Sequence, residues 1–196
     1  YTNGTTEVYM VGPLKIGRHE VKYPLIQGGM GVRISGGRLA GHVAKCGGVG
    51  LVAAAGISLN SGLFTGANYL QSNPEAMRRE LRKAYAIAPD GVIGVNIMVA
   101  LTDYEELVRA SIDGGAKVIV CGAGLPLTLP ELTAHAPEVA LVPIVSSVRA
   151  AQLIAKKWEK VSAVCPMRWS WKTLTPLADT WVKSSKILVP APMTNT

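Results

Sequence analysis

YPLIQGGMGVRISGGRLAGHVAKCGGVGLVAAA, residues 23–55, decides the fold. YPLIQ (23–27) reads as a strand and GGMG (28–31) as a turn. ISGGRLAGHVAKCGG (34–48) follows as an amphipathic helix, with Ser35 as its cap and Gly47–Gly48 as its stop. VGLVAAA (49–55) is then a second strand. Strand, helix and strand in so short a span are a βαβ unit, which requires a parallel sheet.

The same grammar continues downstream. PEAMRRELRKAYAIA (74–88) predicts a helix with Pro74 in its first turn, and VIGVNIMV (92–99) a third strand. TDYEELVRASIDGG (102–115) predicts a helix opened by a Thr102/Glu105 capping box, with Tyr104, Leu107, Val108 and Ile112 on one face. VIVCGAG (118–124), LPELTAHA (129–136), LVPIVSS (141–147) and VRAAQLIAKKWEK (148–160) add two further strand–helix pairs. The strands are nearly unbroken apolar runs, as in a parallel sheet covered on both faces. Five such units fit a doubly wound sheet or a (β/α)₈ barrel, and both bind ligands at the carboxyl ends of their strands. A full barrel takes about 250 residues, so this chain is about three units short.

The 196 residues are 48% hydrophobic and 17% charged, which excludes a disordered chain. The net charge of +7 resembles a nucleic-acid signal until it is located. Residues 1–160 hold 16 Lys+Arg against 12 Asp+Glu, with no dense basic block, and residues 161–196 hold four against one. Cys46, Cys121 and Cys165 are widely spaced, with no CxxC pair to hold zinc, and no metal site is expected. Sparse thiols without an export signal predict a cytoplasmic protein, and no apolar run suits a membrane span. Met10 reads as the natural start, with residues 1–9 as an extension.

Several strand ends carry possible chemistry. GGMG (28–31) is either a plain turn or a backbone cradle for a flat, hydrogen-bonding cofactor. Asn96 lies inside an apolar strand, where its amide needs partners, and it is either structural or ligand-binding. CGAG (121–124) and PIVSS (143–147) are small-residue strand ends that leave room for a substrate or ring. His19, His42 and His135 fall before the first strand, within a helix and near a helix end, which suits surface or packing roles. Cys121 ends a strand without a following base to activate it and reads as a buried thiol; Trp158 reads as packing.

Taken in order, YPLIQGGMGVRISGGRLAGHVAKCGGVGLVAAAGI, GVNIMVALTDYEELVRASIDGGAKVIVCGAGLPLTLPEL and VALVPIVSSVRAAQLIAKKWEK resemble the nitronate monooxygenase family, formerly 2-nitropropane dioxygenase, over residues 12–160. They are also similar to the flavin-dependent enoyl-acyl-carrier-protein reductases. The resemblance implies an α/β fold of the TIM type, a (β/α)₈ barrel incomplete here, that binds FMN. It implies oxidation of an alkyl nitronate with O₂ to a carbonyl compound and nitrite, or alternatively hydride transfer to an enoyl thioester. Carried over, Gly28, Gly29, Met30 and Gly31 line the flavin and Asn96 hydrogen-bonds it. Gly122, Ala123, Gly124 and Ser146 sit on the substrate side.

The resemblance stops at Lys160. All 21 glycines precede Val161, whereas Trp169, Trp171 and Trp181, three of the four tryptophans, follow it. The family continues approximately AVVVEGxxAGGHxG, with a glutamate near the flavin and the histidine associated with catalysis, and then supplies phosphate-binding glycine turns. The chain reads VSAVCPMRWSWKTLTPLADTWVKSSKILVPAPMTNT instead, so no catalytic residue is assigned. Writing Lys160–Pro166 as AAG GTT TCG GCC GTG TGC CCG and inserting a C after AAG gives K-R-F-G-R-V-P. Further along, the restored frame can read V-V-V-E-D-P-D-A-A-G-G-H-L-G. Trp171 followed by Lys172 forces its glutamate, and Trp181 followed by Val182 its final glycine. The expected organisation is therefore an extension (1–9), the N-terminal part of an FMN-binding barrel (10–160) and a frameshifted tail (161–196). The chain as written is then expected to be inactive and prone to aggregate, a non-functional product of a disrupted frame. A nucleic-acid-binding role for the basic tail is the remaining alternative, and salt-sensitive binding would mark it. Oligomeric state is not legible.

Overall fold

The computed structural model describes residues 12–32, 34–59, 61–63 and 68–162. The proposed extension, Met10, Cys165 and the tryptophans after Lys160 lie outside the described residues. The chain divides into two compact units, Tyr1–Ile144 and Val145–Thr196.

The first unit opens with a hairpin that the alternation of the sequence did not announce. Strand β1 (Leu14–Ile16) pairs antiparallel with β2 (His19–Val21), and Gly17 supplies the left-handed turn with φ +60°. The main sheet is parallel, in the order β3 (Val49–Ala53), β4 (Val92–Met98), β5 (Val118–Gly122) and β6 (Ala140–Pro143). Residues 23–27 do not form the expected strand: a single parallel bridge joins Ile26 to Val49. Pro24 has no N–H to give a ladder, and the side chain of Gln27 takes over the next pairing position.

Register sorts the sheet into two faces. Leu51, Gly94, Val118 and Ala140 form one cross-sheet row, and Ala53, Asn96, Val120 and Val142 the next. The lower rows of this face pack under the hairpin, where Val21, Val49, Leu51, Val92, Val118, Val120 and Ala140 join Leu14, Ile16 and Val142. His19 Nε2 reaches the carbonyl of Glu138 at 3.0 Å and ties the hairpin to the approach to β6. The opposite face carries Val52, Ile93, Val95, Ile97, Ile119, Cys121 and Leu141, all buried. Complete burial of each isoleucine there contributes about 1.5–3 kcal/mol.

Helices α1 (Gly37–Lys45), α2 (Tyr69–Ile87) and α3 (Tyr104–Asp113) connect these strands. α1 presses on both β3 and α2 because its contact positions are glycines. A Cβ at Gly37 would enter the Glu80 carbonyl, and one at Gly41 would stand 2.8 Å from the Ala84 carbonyl oxygen. Glu80 also accepts the first free N–H of α1, that of Gly37, at 2.7 Å.

Helix starts differ from the sequence expectations. α1 begins after Gly36 rather than at a Ser35 cap, because the Ser35 hydroxyl is engaged in the preceding loop. α2 begins five residues earlier than expected, so Pro74 lies inside it; the carbonyl of exposed Leu70 can turn to water instead. α3 starts after Asp103 with no side-chain capping bond, so the Thr102/Glu105 box does not form. The predicted helix 129–136 is one short turn, α4 (Leu129–Leu132).

In the second unit, α5 (Val148–Ser162) is preceded by Ser147, whose Oγ accepts the Ala150 N–H at 3.2 Å. Trp158 is buried on this helix, consistent with packing. Counting the Ile26 bridge, strand positions and helices alternate through five βα units. This is the α/β architecture of an incomplete TIM-type barrel. No helix among the described residues is long and apolar enough to cross a membrane.

Candidate functional site

The carboxyl end of the sheet is built first by Gln27. Its Nε2 donates to the Leu51 carbonyl at 3.0 Å, and its Oε1 accepts the Leu51 N–H at 3.3 Å. One side-chain amide thus supplies both ladder bonds of a missing strand residue, and the backbone leaves the sheet as the loop 28–35. The loop is then closed by Ser35, whose hydroxyl accepts the Met30 N–H at 2.9 Å and donates to the Gly28 carbonyl at 3.0 Å. Backbone bonds fix its flanks: Ser35 N–H to Met30 carbonyl, Val32 N–H to Ala55 carbonyl and Ala53 N–H to Ser35 carbonyl. Val32 accepts a left-handed φ of +39° for that placement. Among the described residues, the N–H groups of Gly28, Gly29 and Gly31 have no acceptor.

Asn96 faces this loop from β4. Its backbone carbonyl accepts the Ala54 N–H at 2.9 Å, and its Nδ2 makes one long bond of 3.5 Å to the Val120 carbonyl. A Cβ on Gly29 would stand 2.6 Å from the Asn96 amide oxygen. No such atom fits, so glycine is what allows loop and amide to share this space. On the Gly28 side a Cβ would meet nothing within 4 Å. Met30 and Met98 are exposed beside this opening.

The small residues at the end of β5 occupy the neighbouring row. Gly122 pairs in register with Met98, and its carbonyl accepts the Val99 N–H at 2.8 Å. Ala123 and Gly124 both turn left-handed, at φ +53° and +139°. A Cβ on Gly124 would meet Val99 Cβ at 2.9 Å, so the turn hugs the loop after β4. The structure therefore brings Gly29 and Asn96 into contact and sets Gly122–Gly124 one strand away. Ser146 lies in the second unit, on the exposed segment before α5.

No described residue of this surface is an acid or base. His42 and His135 are exposed on the helical layer, and His19 belongs to the hairpin. Cys121 points to the helix-covered face, where burial pushes its thiol up to about 12 and Tyr104 Oη lies 3.7 Å away. Burial likewise raises Tyr104, so both groups stay neutral. Among the described residues no cluster of three His, Cys, Asp or Glu is arranged to hold a metal.

Sequence reasoning treated Gln27 as a strand residue and Ser35 as a cap, and missed both as loop supports. An amide ending an apolar run was the available signal for Gln27. It also missed a buried polar link: Asn73 donates to Asp103 Oδ2 at 2.7 Å and accepts the Ser58 N–H at 3.3 Å. This link joins the loops after β3 and β4, and nothing local in the sequence marks it.

Among the described residues the glycine N–H groups and the Asn96 amide oxygen have no partner, and Met30 and Met98 are exposed, so the surface can hold one edge of a flat polar ring. A family model described as nitronate monooxygenase matches residues 13–168. No curated protein matches the chain. The chain is similar to the structure of FabK from Thermotoga maritima, at 23% identity and a TM-score of 0.55, covering 70% of this chain and 38% of that one. A FabK point mutant from the same organism matches at 22% identity and a TM-score of 0.55, covering 70% of this chain and 40% of that one. The chain thus spans about two-fifths of the length of these structures, and the likeness is one of fold.

Proposed function

The chain belongs to the nitronate monooxygenase family, and from that premise we propose that residues 10–160 are the N-terminal part of an FMN-binding barrel. In this reading residues 1–9 are an extension and residues 161–196 are an out-of-frame tail. The whole-family reaction is oxidation of an alkyl nitronate with O₂ to a carbonyl compound and nitrite, in the cytoplasm.

One observation carries the flavin reading: the Gly29 backbone abuts the Asn96 amide as only glycine can, in a loop where the N–H groups of Gly28, Gly29 and Gly31 have no acceptor among the described residues. This donor set suits the carbonyl and nitrogen edge of an isoalloxazine ring. FMN, when bound, supplies the two-electron chemistry. The chain's residues orient it: the glycine N–H groups donate to its edge, Asn96 holds the ring from β4, and Met30 and Met98 shield its rim from water. The compact turn at Gly122, Ala123 and Gly124 leaves room for a small substrate beside it. None of these residues moves a proton. That duty falls to the histidine that the family carries beyond the fifth unit and that the sequence after Lys160 does not encode.

Accordingly, we propose that this chain as written does not turn over. The change in composition after Lys160 supports this reading.

The test compares the 196-residue chain with a gene carrying one inserted base after the Lys160 codon. FMN content and oxidation of propionate 3-nitronate are measured on both. The repaired protein is expected to retain FMN through isolation and release nitrite, whereas the chain as written, without the later phosphate-binding turns, binds FMN only weakly, loses it on isolation and releases no nitrite. Stoichiometric FMN and full turnover from the unrepaired chain would overturn the proposal. Reduction of an enoyl thioester by a reduced nicotinamide, without nitronate oxidation, would move the repaired protein to the enoyl reductase reaction.

A further inference from the structure

We infer that Ser35 is a positioning residue for the cofactor loop: its hydroxyl determines which of the loop's backbone groups face the ligand. The inference rests on the flavin reading above.

The hydroxyl does two things at once. It takes the Met30 N–H at 2.9 Å and gives its own proton to the Gly28 carbonyl at 3.0 Å. Ser35 is 2% exposed, so water does not substitute readily for either bond. Because the N–H and C=O of a trans peptide point opposite ways, holding the Gly28 carbonyl to Ser35 turns the Gly29 N–H away from it, and that donor has no acceptor among the described residues. The hydroxyl therefore keeps the Gly29 N–H free as a donor for a ligand. Without the hydroxyl, two polar backbone groups lose their partner, and rotation of the peptide between Gly28 and Gly29 becomes the simplest way to return the Gly28 carbonyl to solvent. Glycine at position 29 makes that rotation easy. It would turn the Gly28 carbonyl, an acceptor, toward the ligand's acceptor edge and the Gly29 N–H away from it. The backbone bond from Ser35 N–H to the Met30 carbonyl survives the loss of the hydroxyl, so the loop stays closed while its polarity changes.

Amide-resolved hydrogen exchange and NMR titration with FMN test this on the full 196-residue chain. In the wild type, the Met30 amide is expected to exchange about tenfold more slowly than those of Gly29 and Gly31, after correction for intrinsic rates. FMN is expected to shift the amides of Gly28, Gly29 and Gly31. In Ser35→Ala, Met30 should lose its protection and the FMN midpoint should rise about tenfold. Ser111→Ala is the control, since it removes a buried hydroxyl bonded within α3 to the Leu107 carbonyl, away from the loop. It should leave Met30 exchange and the FMN midpoint at wild-type values.

Equal exchange at Met30, Gly29 and Gly31 in the wild type overturns the inference without any variant. So does a Ser35→Ala chain with an unchanged FMN midpoint, or an equal loss of FMN affinity in Ser111→Ala. If FMN shifts no amide of the wild-type chain, the flavin reading falls, and the Met30 exchange ratio still decides for or against the role of Ser35.

Discussion

The backbone of Gly29 lies so close to Asn96 that a Cβ at position 29 would stand 2.6 Å from both Cγ and Oδ1 of the amide. Loop and strand are interlocked here, and the lock depends on a missing side chain. Gly29→Ala must displace either the amide or the loop, and is expected to cost about 1–3 kcal/mol of stability. Gly28→Ala, where a Cβ meets nothing within 4 Å, should stay within about 0.5 kcal/mol of the wild type. Urea unfolding of the two variants checks the pair, and equal losses would contradict the interlock.

Among the described residues, Asn73 alone joins the Ser58 N–H to the Asp103 carboxylate. Removing it leaves a buried donor and a buried acceptor unsatisfied. Asn73→Ala should therefore destabilise the protein by about 2–4 kcal/mol. Loss of protection at the Ser58 amide should accompany the drop in denaturation midpoint.

Cys121 gives a pH signature. Its thiol rises from 9.0 to about 12 in the folded protein, with burial as the cause, so unfolding favours its ionisation. The stability this provides is fully present below pH 9 and is lost as pH rises from 9 toward 12. At pH 8 only about one thiol in ten thousand is ionised at that value, so alkylation should miss Cys121. Exposed Cys46 should react. Peptide mapping after iodoacetamide treatment checks this, and Cys121→Ala should flatten the alkaline limb of the stability profile.

Glu80 joins α1 to α2 by accepting the Gly37 N–H at 2.7 Å. Glu80→Ala should cost about 1 kcal/mol by leaving the first amide of α1 without that acceptor. Faster exchange at Gly37, with β4 amides unchanged, is the expected local readout.

The sequence made the alternation of strands and helices legible because β4 and β5 are continuous apolar runs and α3 has a clear apolar face. It also exposed Gly29 and Asn96 as unusual, a glycine pair at a strand end and an amide in an apolar strand. It did not reveal that they touch, since that contact spans two strands. Ser35 looked like a cap because serine before a helix commonly is one; its partners lie behind it in the loop. The strand at 23–27 failed for a related reason: β-propensity describes side chains, whereas Pro24 and the Gln27 amide decide the hydrogen bonds. The β1–β2 hairpin was too short for alternation to register.

The bond from His19 to the carbonyl of Glu138 spans 119 positions of sequence. Translation proceeds at about 5–20 residues per second, so the hairpin waits many seconds on the ribosome for its distant partner. During that interval the hairpin lacks this tie, and two short strands alone are marginal in water. Completion of the first unit is thus timed by one of its last segments to be synthesised. The interval before residue 138 leaves the tunnel is when a chaperone would find the apolar residues Leu14, Ile16 and Val21 without the part of their cover that Ala140 and Val142 supply.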